Sequence, residues 1–171
     1  MRLFIAIQFT DNILDSLMNF QNELKSQGMR GRYAPRENLH LTLAFIGEYA
    51  DSDAVMDALL SVPFHPISLR LDGIGNFGDL YWVGVAGNPA LAGYVKRLRH
   101  SLADRNIPYD RKRFSPHITI IRKGIFHGSL PFPQVHMPNG EMEARYISLM
   151  RSDRGKNGMI YTEIGRSDSP H

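Results

Sequence analysis

The sequence predicts an α+β fold with seven or eight strands and three helices. Two observations lead to this class. Most strand-like segments are hairpin-like neighbours along the chain, with few regular strand-helix-strand alternations. In addition, a strand followed by an amphipathic helix occurs twice, once at the start of the chain and once near its middle.

The first strand-plus-helix unit begins at residue 2. Residues 2–9 are apolar nearly throughout and rich in β-formers, which predicts a buried strand. Thr10 or Asp11 can cap the helix that follows, because either side-chain oxygen can accept a hydrogen bond from the first turn. Gly28 ends this helix. Its apolar face consists of Ile13, Leu17, Phe20 and Leu24.

The second unit repeats this construction. Residues 80–86 predict a strand, and Asn88-Pro89 supplies an N-cap followed by a first-turn proline. The first apolar residues of the two helices, Ile13 and Leu91, are 78 positions apart. The apolar face of the second helix has the same spacing as the first and consists of Leu91, Val95, Leu98 and Leu102.

The other segments complete the fold prediction. Residues 73–79 are rich in glycine but lack the lysine and the spacing of a P-loop, so we expect a turn. Residues 128–140 contain three prolines, which predicts an extended surface connection, and residues 167–171 are expected to fray. A helix that begins at Asp51 or Ser52 is predicted near 51–61. Strands are predicted at 39–46, near 67–72, at 117–122, near 144–151 and near 158–165.

Length and composition narrow the class of protein. A chain of 171 residues suits one domain, or two small lobes that share a core. Because the chain has no cysteine, a disulfide scaffold, a thiol nucleophile and a thiolate metal site are excluded. The longest apolar runs are too short to cross a bilayer, and Met1-Arg2 leads into a strand without a cleavage site. We therefore expect a cytoplasmic monomer without a membrane partner.

The net charge of +3 conceals an asymmetry along the chain. Residues 1–95 carry 6 basic and 10 acidic side chains, whereas residues 96–171 carry 14 basic and 7 acidic ones. Nine of these bases lie in residues 96–123, with only Asp104 and Asp110 to oppose them. This basic segment indicates a phosphate-bearing partner, and the alternative is a solvated basic face.

Two similar tetrapeptides are the strongest functional signal. They are His40-Leu41-Thr42-Leu43 and His117-Ile118-Thr119-Ile120. Because side chains alternate between the two faces of a strand, each motif projects its histidine and threonine together. His117 follows His40 by 77 residues, nearly the spacing of the two helices. An internal duplication related by a pseudo-twofold axis would bring both pairs to opposite walls of one cleft.

The paired motifs suit in-line displacement at phosphorus. One imidazole can act as a general base and the other, when protonated, as a general acid. The threonine hydroxyls can donate to phosphate oxygens, where negative charge accumulates. Metal-dependent hydrolysis is a weaker alternative, because no Asp or Glu lies at ligand spacing from either motif. Ser115 lacks the glycine pattern of a nucleophile elbow, which makes serine catalysis weaker still.

These residues resemble the motifs of the two-histidine (2H) phosphoesterase superfamily, and the fuller match is to its RNA 2′,3′-cyclic phosphodiesterase branch, also known as 2′-5′ RNA ligases. The resemblance covers nearly the whole chain. It rests on Leu3-Phe4-Ile5-Ala6-Ile7, on residues 37–47 around the first motif, and on residues 114–122 around the second.

The resemblance implies a single two-lobed domain over residues 1–171, with antiparallel sheets lining a central cleft and helices outside. It also implies a proton-donor role for His40, a proton-acceptor role for His117 and phosphate contacts from Thr42 and Thr119. No metal or other cofactor is implied. Arg122 matches a phosphate-binding position, but in a regular strand it would face away from His117. Arg122 therefore needs a bulge, or the end of the strand, to reach the cleft.

The resemblance gives no single role to three residues near the motifs. Many relatives carry an aromatic residue just before the first motif, where Tyr33 can either stack on a base or pack at a strand edge. Lys123 and His127 follow the second motif without an assigned role.

The sequence thus predicts a metal-independent enzyme acting on RNA or oligonucleotides with a 2′,3′-cyclic phosphate end. The expected product is a 2′-phosphomonoester, and the same site can support 2′-5′ ligation in reverse. The alternative is a non-catalytic RNA-binding module that uses the basic segment 96–123.

Overall fold

The computed structural model describes residues 1–128 and 132–170. Pro131 and His171, which belong to the segments expected to be extended and frayed, lie outside the described residues. The described chain forms three α-helices, nine strands and one short 3-10 turn. In chain order these are β1 (Arg2–Gln8), α1 (Asp11–Ser26), β2 (Arg30–Tyr33), the 3-10 turn (Arg36–Asn38), β3 (His40–Glu48), α2 (Ser52–Leu60), β4 (Ile67–Phe77), β5 (Leu80–Val85), α3 (Pro89–Asp104), β6 (His117–Ile125), β7 (Glu141–Ala144), β8 (Tyr146–Gly155) and β9 (Gly158–Asp168).

The strands form two antiparallel sheets. The first sheet has the order β3-β1-β8-β9, and the second has the order β2-β6-β5-β4-β7. This arrangement confirms the predicted α+β class, since helices occur together with sheets in which every strand pair among the described residues is antiparallel. Most buried apolar side chains from both sheets and all three helices form one continuous core.

The duplication predicted from the motif spacing is visible in the strand register. In the first sheet, β1 pairs with β3 so that Gln8 lies opposite His40. In the second sheet, β5 pairs with β6 so that Gly84 lies opposite His117. Each motif strand therefore pairs with the strand that opens its repeat, although β3 is the edge of its sheet whereas β6 has β2 on its other side.

The helices tie the two sheets together. In α1, which follows a strand of the first sheet, Gln21 Nε2 donates to the Ala34 carbonyl oxygen at 2.9 Å, just after β2 of the second sheet. In α3, which follows a strand of the second sheet, Arg99 Nε donates to the Leu43 carbonyl oxygen of β3 at 3.2 Å. α1 and α3 thus each connect the sheet of the strand before them to a segment in or next to the other sheet.

The capping residues agree in large part with the sequence prediction. The Asn88 side chain accepts from the backbone N–H of Ala90 at 2.9 Å, and the Asp51 side chain accepts from that of Ala54 at 3.0 Å. Thr10 is the N-cap of α1, but its side chain makes no capping hydrogen bond. These caps fix where α2 and α3 begin.

Two local predictions are wrong. The segment 73–79 is not simply a turn, because β4 continues to Phe77 and only the Gly78 region turns back into β5. The Trp82 ring covers Gly75 so closely that a Cβ atom would not fit. At the other end of the chain, Ser167 is buried within β9, and Ser169 N donates to the Arg145 carbonyl oxygen at 2.8 Å. The chain is therefore not frayed from residue 167.

A β-bulge interrupts the first motif strand immediately after its threonine. The consecutive β1 residues Ile5 and Ala6 pair with Ala44 and Thr42, so Leu43 is an extra residue in β3. A bulge of this kind moves the residues that follow it to the opposite face, here until the next register shift at Ile46.

The second motif strand has its bulge at the equivalent position. The consecutive β5 residues Tyr81 and Trp82 pair with Ile121 and Thr119, which makes Ile120 the extra residue of β6. Leu43 and Ile120 are 77 positions apart, as are the two histidines. The duplication has therefore retained the bulge as well as the motif.

The carbonyl oxygens of both bulge residues have partners. Ile120 O accepts from the backbone N–H of Ala34 at 2.8 Å. Leu43 O accepts from Arg99 Nε and from its second terminal nitrogen at 3.2 and 3.1 Å. Arg99 also donates to the Lys112 carbonyl oxygen at 2.7 Å. Because β3 is an edge strand, Arg99 supplies a donor that no neighbouring strand provides.

None of the helices among the described residues combines the length and the apolar character needed to cross a membrane.

Replacing Arg99 with alanine should destabilise the fold, because it leaves the Leu43 and Lys112 carbonyl groups without their charged donor. We expect the free energy of unfolding, measured by urea denaturation, to fall by about 2–3 kcal/mol. Arg97→Ala is the matched control on an exposed position of the same helix, with an expected change within about 0.5 kcal/mol. An equal loss in both variants would contradict the role of Arg99.

Candidate active site

His40 begins β3, and two hydrogen bonds fix its ring. Nδ1 lies 2.7 Å from the Asn38 carbonyl oxygen, and Nε2 lies 2.8 Å from Thr42 Oγ1. Because a carbonyl group can only accept, Nδ1 carries a hydrogen and donates it. In the neutral ring Nε2 is then the acceptor, and it is the nitrogen available for proton transfer.

His117 repeats this arrangement in the second sheet. Its Nδ1 donates to the Ser115 carbonyl oxygen at 2.6 Å, again two residues earlier in the chain. The neutral tautomer therefore presents Nε2 in both motifs. Each threonine lies two residues after its histidine and before the bulge, so it projects from the same face.

The two motif strands bring their histidines to one site. β3 and β6 approach each other although they belong to different sheets. Burial lowers the pKa of His40, and the charges of Arg122 and His117 lower it further. The contact between β3 and β6 thus brings His40 and Thr42 of one strand to the same site as His117, Thr119 and Arg122 of the other.

Arg122 reaches this cleft because of the bulge at Ile120. A regular strand would point Arg122 to the face opposite His117 and Thr119, but the extra residue reverses the alternation. The burial pattern agrees, since Ile120 and Ile121 are both buried and Arg122 is exposed. The bulge that the sequence analysis required for Arg122 to face the cleft is therefore present.

The resulting cleft combines two imidazoles, two hydroxyls and one guanidinium. This set can exchange protons near neutral pH and can hold an anion of tetrahedral shape. No group of three or more His, Cys, Asp or Glu side chains able to hold a metal ion occurs within residues 1–128 and 132–170.

Known proteins with similar sequences and structures are phosphoesterases. The family model described as LigT like Phosphoesterase matches residues 7–81, which include the first motif. The RNA 2′,3′-cyclic phosphodiesterase of Methanocaldococcus jannaschii is 31% identical over 175 residues, covering 96% of this chain and 98% of the relative. The chain belongs to the LigT-like phosphoesterase family. The Escherichia coli K12 protein with the same name is 29% identical over 170 residues, covering 96% of this chain and 94% of that relative.

Solved structures share the fold of this LigT-like phosphoesterase. Escherichia coli LigT in complex with 3′-AMP has a TM-score of 0.81 at 24% identity, covering 99% of this chain and 98% of that chain. The same protein in complex with phosphate has a TM-score of 0.78 at 25% identity, with the same coverage. The two-sheet architecture is thus that of LigT.

Aromatic side chains that the sequence did not single out pack on both catalytic candidates. The His40 ring lies 4.9 Å from the Phe4 ring and 5.4 Å from the Tyr161 ring. The His117 ring lies 5.3 Å from the exposed Phe77 ring. Aromatic neighbours restrict ring rotation and lower the local polarity. The motif spacing gives no signal for them, because they come from β1, β4 and β9.

A hydrogen-bonded carboxylate also lies on the first sheet and was not predicted. Gln8, the register partner of His40, donates through Nε2 to Glu163 Oε2 at 2.9 Å, and buried Ser148 donates to the same carboxylate. Burial opposes ionisation of Glu163, but hydrogen bonds from Arg166, Ser148 and Gln8 outweigh it and lower the pKa of Glu163. Glu163 is therefore held as an anion by its partners.

Tyr33 packs at the edge of the sheet rather than in the cleft. It lies opposite buried Ile121, contacts the core, and donates its hydroxyl to the Met29 carbonyl oxygen at 2.6 Å. Burial raises the pKa of Tyr33 to about 12. Of the two other unassigned residues, Lys123 has a left-handed backbone with φ of 53°, and nothing in the structure gives His127 a role.

The basic segment 96–123 divides into different environments. Arg99 supports the β3 bulge and its guanidinium also lies 5.8 Å from the rings of Tyr109 and Phe114. Arg122 faces the cleft, whereas Lys96 and Arg97 are exposed on α3. The segment is therefore not one continuous surface.

Burial lowers the pKa of His40, and although the hydrogen bond to Asn38 opposes this, the charges of Arg122 and His117 lower it further. The unfolded chain therefore takes up this proton at a higher pH than the folded protein does. The ordinary pKa of this group is 6.5, and its pKa in the folded protein is lower. The contribution of His40 to the free energy of unfolding therefore falls as the pH drops from 6.5 toward the pKa in the folded protein.

A direct NMR titration should confirm this direction. We expect His40 to titrate below 6.5 in the free protein, and to titrate at higher pH in the Arg122→Ala variant or with saturating inorganic phosphate. Both changes reduce the positive charge acting on the ring. A His40 signal that titrates at or above 6.5 in the free protein would contradict the assignment. The same holds if neither the Arg122→Ala substitution nor phosphate changes the pH at which His40 titrates.

Proposed function

We propose that this phosphoesterase is a metal-independent RNA 2′,3′-cyclic phosphodiesterase that opens the cyclic phosphate to a 2′-phosphomonoester. The observation that carries the proposal is the duplicated histidine-threonine site, in which both rings bond through Nδ1 to a backbone carbonyl oxygen and leave Nε2 for proton transfer. The names of the curated relatives and the phosphate and 3′-AMP complexes of Escherichia coli LigT support the same substrate class.

The reaction needs one base and one acid on opposite sides of the phosphorus atom. His117 Nε2 takes a proton from water as its oxygen forms a bond to phosphorus. His40 Nε2 gives a proton to the 3′ oxygen as the bond between phosphorus and that oxygen breaks, so the 2′ oxygen keeps the phosphate. The division of roles between the two histidines follows the family resemblance.

Three side chains stabilise the charge that develops on the non-bridging oxygens. Thr42 and Thr119 can each donate a hydroxyl hydrogen, and Arg122 supplies a fixed positive charge. Since the hydroxyl of Thr42 also lies within hydrogen-bond distance of His40 Nε2, it can turn toward a phosphate oxygen when His40 is protonated.

The lowered pKa of His40 is compatible with a proton donor. In the free protein, burial and the charge of Arg122 favour the neutral ring. A bound phosphate anion offsets the charge of Arg122 and favours the protonated ring at the moment it is needed. The Nδ1 hydrogen bond to the Asn38 carbonyl oxygen persists in the protonated ring and stabilises it.

The same site has consequences for assembly, location and reversibility. Both motifs belong to one chain, so a monomer supplies every group that the reaction needs.

RNA as a substrate favours a cytoplasmic enzyme. A 2′-5′ bond forms when the 5′-hydroxyl of a second RNA end takes the place of water, because its oxygen bonds to phosphorus as the bond to the 3′ oxygen breaks. Since that step is reversible and water is abundant, hydrolysis dominates in water.

The decisive experiment is product analysis with a 2′,3′-cyclic-phosphate-ended oligonucleotide in EDTA. Wild-type protein should yield the 2′-phosphate, and alanine at His40 or His117 should lower the rate by about a hundredfold or more. His100→Ala is the matched control, because His100 is exposed on α3.

A 3′-phosphate product, or wild-type rates in both active-site variants, would contradict this mechanism. Salt-sensitive RNA binding that survives loss of both histidines, with no product from the wild type, would instead favour the non-catalytic RNA-binding module.

A further inference from the structure

Arg32 and Arg122 form a cross-strand pair of like charges. They lie directly opposite each other where β2 pairs with β6. Directly opposed residues of an antiparallel pair project from the same face, and like charges in this position destabilise the sheet. An arrangement that costs stability at the edge of a cleft is typical of a binding function rather than a structural one.

No neighbouring carboxylate neutralises this pair. Among the described residues, no Asp or Glu oxygen lies within 4.0 Å of a nitrogen of Arg32 or Arg122. Arg36, only four positions after Arg32, is by contrast paired with Asp15 at 2.7 Å and with Asp11 at 3.4 Å. The chain thus neutralises one arginine of this region and leaves the cleft-facing pair available to an anion.

The backbone fixes the direction of Arg32. Tyr33 next to it points into the core, so Arg32 is exposed on the opposite, cleft-facing side. Gly31 allows β2 to lie tightly on β6, because a Cβ atom there would come within 2.5 Å of Ile121 Cγ2. Since β2 is the edge strand of the second sheet, Arg32 lies one strand further out than Arg122.

We propose that Arg32 binds the phosphodiester group that precedes the cyclic phosphate in an RNA chain. This inference rests on the proposed function, in which Arg122 contacts the cyclic phosphate itself. Paired residues on neighbouring strands are about 5 Å apart, and long arginine side chains extend this reach enough to contact two successive phosphates. A planar guanidinium also suits bidentate binding of a phosphodiester.

Arg32 thereby distinguishes an RNA end from a cyclic mononucleotide, which has no preceding phosphodiester. A different possibility is that Arg32 and Arg122 share the cyclic phosphate. The two cases differ in one measurable respect, because a shared phosphate would make both substrates depend on Arg32 to the same degree.

The test compares kcat/KM for a short 2′,3′-cyclic-phosphate-ended oligonucleotide with kcat/KM for a 2′,3′-cyclic mononucleotide. In Arg32→Ala, the ratio of the two values should fall about tenfold, and the slope of log kcat/KM against log salt for the oligonucleotide should become shallower by about 0.7. Arg32→Lys should restore the salt slope, because it restores the charge. Arg97→Ala should leave the ratio and the slope as in the wild type.

A purely structural role for Arg32 is checked by thermal unfolding. Relief of like-charge repulsion should leave the midpoint of Arg32→Ala unchanged or raise it. A lowered midpoint, an unchanged ratio, or equal losses on both substrates would each overturn the proposal. If the wild type turns over neither substrate, the proposed function fails instead, so the two failures are distinguishable.

Discussion

One extra residue after each histidine-threonine motif determines which side chains reach the cleft. Leu43 in β3 and Ile120 in β6 both lack a partner in the ladder, and the residues that follow, up to the next register shift of each strand, change face as a result. Without the second bulge, Arg122 would point away from His117 and Thr119. The bulges also need external donors for their carbonyl groups, which Arg99 and the backbone of Ala34 supply. Helix α3 and the end of β2 therefore support the site from outside it.

The duplication repeats the proton-transfer groups but not the charge. Phe45 lies 77 positions before Arg122 and occupies the equivalent place after the first bulge. It packs with Phe4 and Met150, and the Arg2 guanidinium lies 5.0 Å from its ring, so β3 has an aromatic side chain where β6 has an arginine. The two histidines also have different aromatic neighbours, which are Phe4 and Tyr161 for His40 and the exposed Phe77 for His117. In the proposed function, this difference distinguishes the proton donor from the proton acceptor.

Local patterns in the sequence predicted much of this architecture. Asn88 and Asp51 cap helices as expected, and the alternation of β-strand side chains places His40 beside Thr42. Strands β2 and β7 were not predicted, because each has four residues and little apolar pattern, and their pairing depends on distant strands. The aromatic contacts to His40 arise in the same way from separate strands of the first sheet. Position in the chain gives no signal for such contacts.

The central claim is that both motifs act on one phosphate. A crystal structure with a nucleoside vanadate, which resembles the five-coordinate intermediate of cyclic-phosphate opening, tests it most directly. The vanadium-bound oxygens should lie about 2.6–3.2 Å from Nε2 of His40 and His117, with Thr42, Thr119 and Arg122 on the remaining oxygens. Vanadate bound to the groups of one motif alone, with the second histidine out of hydrogen-bond reach, would contradict the account.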